Sequence, residues 1–169
     1  MRRNIIYFLL VIYKMSKFTG CLSQGHFYEQ ETLKYIEHDK YEFSVGKCKE
    51  WDIKTIKNET PLYYEVKSET NAFKYGNLCI EYEYNESKSG IDATIADYWV
   101  HYAIKDKSKN TYTLFIIPTA DLRQMIKDKK YYRKITGGDR NLSKCYLFRM
   151  IDLSEYKVDI VQGNNGALE

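Results

Sequence analysis

Residues 51 to 69 read WDIKTIKNETPLYYEVKSE, and they determine more of the expected fold than any other part of the chain. Residues 51–56 and 62–69 are rich in β-branched and aromatic side chains and flank a polar turn at 58–61, which predicts two adjacent strands. Side chains alternate between the two faces of a strand. One face of the second strand therefore carries Glu65, Lys67 and Glu69, and the other carries Leu62, Tyr64, Val66 and Ser68. Asp52 precedes Glu65 by twelve intervening residues, so we expect the two carboxylates to meet on neighbouring strands.

The chain before this hairpin predicts one helix and one further strand. From Gly25 onward, Glu29, Leu33 and Ile36 recur at i, i+4 and i+7, the spacing of one helix face. A carboxylate on that apolar face is costly to bury without a partner, so Glu29 is a candidate functional residue. An edge position, from which the side chain reaches water, explains Glu29 equally well. Residues 41–45 predict a strand, which makes an antiparallel meander of three strands.

The chain after the hairpin predicts alternating strands and helices. Strands are expected at residues 78–84, 111–118 and 145–151, and helices at residues 94–104 and 121–130. The first of these helices has an apolar stripe of Ile95, Tyr98, Trp99 and Tyr102, and a polar stripe of Thr94, Asp97 and His101. This order of elements predicts an α/β or α+β fold in which a sheet is flanked by helices.

Length and composition indicate one intracellular domain. A chain of 169 residues with 44% apolar residues can bury one compact core and is too short for two ordinary domains. The net charge of +3 is mild and gives only weak support for a nucleic-acid partner. The cysteines contain no CxxC pair, which argues against a zinc knuckle or a disulfide framework and favours reduced thiols (Cys21, Cys48, Cys79 and Cys145). We expect a cytoplasmic protein with no stable membrane association.

The N-terminus has the outline of a signal peptide, since Met1-Arg2-Arg3 precedes an apolar run at residues 5–13. The run is too short to span a membrane, and no small-residue cleavage site follows it. A working signal or anchor is the alternative to an apolar segment packed on the domain. We expect residues 1–14 to be an apolar extension, residues 15–161 a single domain and residues 162–169 a flexible tail.

The spacing of Asp52, Glu65 and Lys67 resembles the signature of the PD-(D/E)XK nuclease superfamily. Trp51 stands where that signature has proline, a departure that many divergent members share. A second stretch, residues 76–83 followed by 89–91 and 96–99, is similar to phage- and virus-type members, in the manner of Holliday-junction resolvases. The resemblance covers residues 25–118. It implies the restriction-endonuclease-like αβββαβ core, with a central mixed sheet flanked by helices.

The resemblance also implies a chemistry, that of a Mg²⁺- or Mn²⁺-dependent deoxyribonuclease. Asp52 and Glu65 would be the metal ligands, with the backbone carbonyl of Val66 as a further one, because hard cations prefer oxygen ligands. Lys67 projects from the same face as Glu65, where its ammonium would orient the attacking water and stabilise developing phosphate charge. Glu29 would complete the outer shell or bind a second metal.

Structural explanations compete with these functional ones. Glu and Lys two residues apart on an exposed strand are common in surface salt-bridge ladders, which contribute little to stability. Of the flanking carboxylates, Glu81 has the best claim to a role, because its strand is expected near the hairpin. Candidate DNA contacts come from the loop after residue 84, the helix predicted at 94–104 and the basic segment at 127–134 (Lys88, Ser89, Thr94, His101, Lys130 and Arg133). A solvated helix end explains the basic segment equally well.

Three functions are compatible with the sequence. The first is an endonuclease that cuts duplex or branched DNA, for which the resemblance to junction resolvases implies a homodimer. The second is a binding module that keeps the fold without cleavage, either a nucleic-acid-binding protein or a subunit of a larger complex. The third is an RNA-cleaving viral member of the same superfamily. Convergence of Asp52, Glu65 and Lys67 separates the enzymes from the binding module, which does not need it.

Overall fold

The structure, a computed structural model, describes residues 25–46, 48 and 50–158. Within that part of the chain it is an α+β fold. The helices are α1 (residues 25–32), α2 (Ala72–Tyr75) and α3 (Thr119–Lys127). The strands are β1 (Lys40–Phe43), β2 (Ile53–Lys57), β3 (Thr60–Glu69), β4 (Asn77–Tyr84), β5 (Ser87–Lys88), β6 (Tyr98–Asp106), β7 (Thr111–Pro118), β8 (Arg133–Gly137), β9 (Ser143–Arg149) and β10 (Lys157–Val158). The extension predicted at residues 1–14 and the tail predicted at residues 162–169 lie outside the described residues.

The strands form two sheets. The larger sheet has the order β1-β2-β3-β6-β7-β10, and its neighbouring strands are antiparallel except for β3 and β6, which run parallel. The smaller sheet has the order β5-β4-β9-β8 and is antiparallel throughout. The α+β class and the mixed central sheet predicted from the sequence are therefore confirmed. The antiparallel meander of β1, β2 and β3 is confirmed as well.

The two faces of the larger sheet are covered by different elements. Alternation along β3 and β6 sends Tyr64 and Tyr102 to one face, where they pack with Tyr28 of α1, and we call this the helix face. The opposite face of the same two strands, which we call the charged face, carries Glu65, Lys67, Glu69, Trp99 and His101. The smaller sheet, α2 and α3 cover part of the charged face through an apolar cluster around Trp99.

The prediction of a helix at residues 94–104 is wrong. Most of this segment belongs to β6, which lies between β3 and β7 in the larger sheet. Its residues 99–104 are all buried, because both faces of the strand are covered. A strand that is buried on both faces loses the alternation of polar and apolar residues, and its apolar run then fits helical spacing as well.

Most other predicted elements lie within two or three residues of their expected positions. β7 spans the predicted residues 111–118, β9 overlaps the strand predicted at 145–151, and α3 overlaps the helix predicted at 121–130. β4 was expected at residues 78–84, and it belongs to the smaller sheet. The chain therefore passes from β3 to the parallel strand β6 through α2, β4 and β5 instead of through a long helix.

Two further findings concern the expectations drawn from composition. Cys48, Cys79 and Cys145 are free thiols, and Cys21 lies outside the described residues. In the part of the chain that the structure describes, no helix is both long and apolar enough to cross a membrane.

Candidate functional site

The hairpin of β2 and β3 holds Asp52 beside Glu65. Ile53 pairs with Tyr64, and the Asp52 amide donates to the Tyr64 carbonyl oxygen over 2.8 Å, so pairing continues one residue beyond β2. The Asp52 carboxylate accepts a hydrogen bond from the Val66 amide, with an Oδ2–N distance of 2.7 Å. Because a backbone amide anchors it, the carboxylate is held against β3 by the hairpin itself.

Lys67 lies within ion-pairing distance of both carboxylates. Its Nζ atom is 2.5 Å from Oε1 of Glu65 and 4.0 Å from Oδ2 of Asp52. The Glu65 side chain is 7% exposed and the Lys67 side chain 38% exposed, so the carboxylate is enclosed and the lysine is partly exposed. The Trp99 ring centre is 5.9 Å from Nζ and borders the group on the charged face. Asp52, Glu65 and Lys67, which we call the trio, thus form one compact charged group.

Burial dominates the ionisation of Glu65. Loss of hydration raises the pKa of this carboxyl above the usual range, because water no longer stabilises the charged form. The Lys67 ammonium lowers the pKa and the Asp52 carboxylate raises it, and burial prevails. A further cation near Glu65 would favour the ionised carboxylate, since it would offset both the lost hydration and the repulsion from Asp52.

The Lys67 ammonium stays charged at neutral pH. Desolvation lowers the pKa of Lys67, but the carboxylates of Glu65 and Asp52 raise it above the usual lysine value, and Glu81 of β4 adds to this rise. A lysine that keeps its proton cannot act as a general base. It can donate hydrogen bonds and stabilise negative charge that develops nearby.

A tight turn joins the smaller sheet to the trio. Gly90, the first residue of the 3₁₀ turn Gly90–Asp92, has a φ of 48° in the left-handed region. A Cβ atom at Gly90 would overlap the backbone carbonyl of Glu81, so the turn can approach β4 this closely only with glycine. Ser89 donates a hydrogen bond of 2.6 Å to the Glu81 carboxylate. After the turn, the buried Thr94 lies close to Glu65 of the trio.

Glu29 is not brought to the trio. Its Oε2 atom lies 3.1 Å from Nδ1 of His26, in the same helix. The fully buried residues of α1 are Tyr28 and Thr32, with Leu33 and Ile36 partly buried beside them, so the predicted stripe is offset by one residue. α1 packs on the helix face, on the opposite side of the sheet from Glu65. Glu29 therefore occupies an edge position, and we leave it outside the proposed catalytic set.

The six predicted DNA contacts differ in exposure. Thr94 and His101 are 3% and 1% exposed, so neither reaches a nucleic acid and both predictions are wrong. The Thr94 hydroxyl donates to the Glu50 carbonyl oxygen, and His101 accepts a hydrogen bond from the Trp99 indole. Ser89 is half-buried and bonded to Glu81. The remaining three side chains are exposed and stay candidates (Lys88, Lys130 and Arg133).

Sequence reasoning missed the role of Glu69. Its Oε2 atom accepts a hydrogen bond of 2.9 Å from the Cys79 amide and lies 3.4 Å from Nε2 of His101. Glu69 therefore ties β3 to β4 at the end of the charged row. The two-residue period of β3 does place Glu69 beside Lys67. Its partner His101 was hidden, because the pattern around it predicts a helix.

The carboxylates of the trio could serve as oxygen ligands of one hard cation. Asp52 and Glu65 are the candidate ligands, together with the Val66 carbonyl, and burial raises the pKa of Glu65 even though Lys67 lies beside it. Among the described residues, no group of three or more His, Cys, Asp or Glu side chains is arranged to hold a metal ion. Mg²⁺ does not need such a group, since it usually keeps several waters and binds one or two carboxylates plus a substrate phosphate.

Comparisons of the chain with family models, with curated proteins and with solved structures find no match. Function therefore has to be inferred from the chemistry of the site. Two adjacent carboxylates could bind a cation, and a partly exposed lysine beside them, charged at neutral pH, could bind an anionic group.

Proposed function

We propose that this chain is a Mg²⁺- or Mn²⁺-dependent nuclease of the PD-(D/E)XK type, which hydrolyses phosphodiester bonds in DNA. The observation that carries the proposal is the convergence of the trio, in which Lys67 Nζ lies within 4.0 Å of both carboxylates. The order of α1, the meander β1–β3 and the parallel strand β6 is compatible with the αβββαβ core. In this chain, α2 and the β4–β5 segment would replace the helix of that core's crossover.

Each member of the trio has a distinct task in this proposal. Asp52 and Glu65 would hold the metal, and the Val66 amide keeps Asp52 in position. The bound metal would stabilise charge on the attacked phosphate and lower the pKa of a water molecule. The Lys67 side chain is partly exposed, and its ammonium beside the carboxylates would donate hydrogen bonds to a phosphate oxygen and to the attacking water.

A purely structural ion pair is the competing explanation, and the burial of Glu65 counts against it. A buried salt bridge recovers its lost hydration only when its geometry is good and further hydrogen bonds satisfy the remaining lone pairs. Burial and the neighbouring Asp52 instead leave Glu65 with a raised pKa, so the folded chain disfavours its ionised form. Carboxyls whose pKa is shifted by burial and by a neighbouring charge are found often at functional sites.

The test is cleavage of labelled single-stranded, duplex, flap and four-way-junction DNA with Mg²⁺, Mn²⁺ or chelator. Wild type should cut with metal and not with chelator, and Lys67→Ala should lower the rate by about 10²-fold or more, because it removes a cation from the phosphate site. Lys54→Ala is the matched control, since Lys54 lies on β2 of the same hairpin and pairs with Glu42 instead of the trio.

The substrate that is cut would identify the subclass. Preferential cutting of the junction would favour a resolvase, and its homodimer is then checked by sedimentation. Cutting of RNA alone would favour the RNA-cleaving alternative, which uses the same ligands. Tight binding of DNA with no cutting under either metal, for DNA and RNA alike, would contradict the nuclease proposal and favour a non-catalytic binding module.

A second measurement uses metal binding as its readout. Lys67→Met keeps the aliphatic stem and removes the ammonium that competes for the two carboxylates. Titration calorimetry should therefore show Mn²⁺ binding to Lys67→Met more tightly than to wild type, by about tenfold for one nearby charge at a partly exposed site. Equal Mn²⁺ affinity of the two proteins would contradict the assignment of Asp52 and Glu65 as metal ligands.

A further inference from the structure

A large cleft lies next to the trio, on the outward side of the smaller sheet. It encloses about 950 Å³, which is near the upper end of typical ligand pockets. Register across β4, β9 and β8 aligns Cys79, Leu147 and Arg133 in one row, so their side chains share one face. All three line the cleft. The partner face of the same sheet packs on Trp99, which leaves this face as an open wall.

The rim of the cleft combines exposed aromatic rings with cations. Tyr75 and Tyr132 are 62% and 58% exposed, although large hydrophobic side chains are normally more buried. The Arg133 guanidinium lies 5.6 Å from the centre of the Tyr132 ring, and the Lys74 ammonium lies 5.0 Å from the centre of the Tyr75 ring. Each exposed tyrosine of the cleft thus has a positive charge beside its ring.

The charges of the lining favour an anionic ligand. Two arginines, Arg133 and Arg149, line the cleft against one carboxylate, that of Glu69. Arg149 is paired with Asp152, at 2.8 Å from Nε to Oδ2, and Glu69 is bonded to the Cys79 amide. Arg133 has no ion-pair partner among the described residues, and its side chain is exposed. Arg133 therefore remains available for a phosphate group.

Strand β3 connects the cleft with the trio. Glu69 lines the cleft and shares the charged face with Lys67, two residues earlier on the strand, a separation of about 7 Å. A polymer that is bound at Lys67 through one phosphate can therefore reach the cleft with its neighbouring nucleotides. A small free ligand is too short to contact both places.

We propose that the cleft binds an unpaired nucleic-acid strand next to the site of cleavage, with bases on Tyr75 and Tyr132 and phosphate on Arg133. The inference rests on the proposed nuclease function in one respect, namely that the strand reaches the cleft from a phosphate bound at Lys67. Aromatic rings bind bases by stacking, which is independent of sequence, and cations beside them bind the backbone. A base inside a duplex is already stacked on its neighbours, so exposed rings favour an unpaired strand over a duplex.

The test measures binding in chelator, where no cutting occurs. A short fluorescently labelled oligothymidylate and a blunt duplex of equal length are titrated with wild type, Tyr132→Ala, Tyr132→Phe and Arg133→Ala, and anisotropy is recorded. Tyr84→Ala is the matched control, because Tyr84 is another exposed tyrosine of the smaller sheet, 45% exposed, that does not line the cleft. Thermal melts establish that each variant is folded.

The expected result is specific to the ring and to the single strand. Tyr132→Ala should weaken oligothymidylate binding by about 5- to 100-fold, Tyr132→Phe should retain it, and Tyr84→Ala should bind as wild type does. Arg133→Ala should weaken binding and reduce its salt dependence, because one phosphate contact is lost. Wild type should bind the duplex more weakly than the single strand.

Several results would overturn the inference. These are an oligothymidylate affinity that Tyr132→Ala and Arg133→Ala leave unchanged, an equal loss in Tyr132→Phe, or no binding of single strand by wild type. The same experiments distinguish failure of this inference from failure of the nuclease proposal. Binding that depends on Tyr132 without any cutting in metal would support the cleft and contradict the nuclease, whereas cutting by wild type together with unchanged binding by Tyr132→Ala would contradict the cleft alone.

Discussion

The helix face and the charged face of the larger sheet share the same strands but use polar groups differently. On the helix face, hydroxyls bond one another: Thr32 Oγ1 lies 3.0 Å from the buried Tyr102 hydroxyl, and the half-buried Tyr35 and Tyr112 hydroxyls are 2.9 Å apart. On the charged face, the buried polar side chains are a carboxyl and an imidazole. Glu65 is 5% exposed, and the buried Nε2 atom of His101 makes no hydrogen bond and lies 3.4 Å from the Glu69 carboxylate.

The polar contacts of the helix face therefore stabilise the fold, whereas the buried carboxylate of the charged face destabilises it. A buried hydroxyl with a partner adds about 0.5–1.5 kcal/mol to stability, because the hydrogen bond replaces one to water. A buried carboxylate loses more hydration than a neighbouring ammonium restores unless its other lone pairs are also satisfied. We infer that substitutions on the charged face should change activity, whereas substitutions on the helix face should change only stability.

The largest expected effect is on cleavage. Asp52→Asn removes one of the two candidate metal ligands and should reduce the rate by about 10²- to 10³-fold, a loss typical of removing one charge-stabilising group. Glu42→Gln is the control, because Glu42 is an exposed carboxylate of β1 that pairs with Lys54. Steady-state cleavage rates and thermal melts are compared for both. A similar loss of rate in Glu42→Gln would show that net charge matters and the trio does not.

The second effect tests how the charged face is held by the smaller sheet. Gly90→Ala places a Cβ atom against the Glu81 carbonyl in a left-handed backbone, which should cost about 3 kcal/mol of unfolding free energy. Gly76→Ala is the matched variant, with a φ of 67° and open space around its Cβ, and should cost only about 1 kcal/mol. Urea titrations measure both. Equal losses would show that the close approach of the turn to β4 contributes nothing.

The hairpin and its charged row could be predicted from the sequence because both depend on local pattern. The turn at residues 58–61 separates two strand-like runs, and the two-residue period alone places Glu65 and Lys67 on one face. The ion pairs of the trio then follow from the antiparallel pairing of β2 and β3. This is the part of the candidate site that sequence reasoning recovered.

The rest could not be predicted, because it depends on contacts between distant segments. β6 lies between β3 and β7 in the larger sheet, and apolar clusters cover both of its faces, so its continuous apolar run also fits a helix. Because β6 was predicted as a helix, the burial of His101 beside Glu69 could not be predicted. The apolar stripe predicted through Glu29 was wrong because a helix of only two turns is short. In so short a helix, two stripes that differ by one residue fit the sequence pattern about equally well.

The third effect tests the helix face. Tyr102→Phe removes the hydroxyl that bonds Thr32, while the Thr32 hydroxyl still donates to the Tyr28 carbonyl oxygen. The free energy of unfolding should therefore fall by about 1 kcal/mol. Cleavage should be unchanged, because Tyr102 lies on the side of the sheet opposite to Lys67. Urea titration and cleavage rate are measured on the same preparation. A variant of normal stability with reduced cleavage would reverse the roles assigned to the two faces.

The smallest effect is the pH dependence that Glu65 gives to stability. Burial holds the pKa of Glu65 above its usual range, so the folded protein binds a proton there more tightly than the unfolded chain does. The stability contributed by this proton is fully present below the unfolded-state pKa of about 4.3, and it is lost as pH rises through the raised folded-state pKa. Glu65→Gln has no proton to lose at this position.

Thermal melts of wild type and Glu65→Gln between about pH 4 and about pH 8 compare the two proteins over this range. The melting temperature of Glu65→Gln should rise relative to wild type as the pH increases, because only the wild type acquires a poorly hydrated carboxylate. Mn²⁺ should reduce the difference by binding the ionised wild type. A difference in melting temperature that stays constant with pH would mean that Glu65 ionises as an ordinary glutamate. The buried carboxylate would then not destabilise the charged face relative to the helix face.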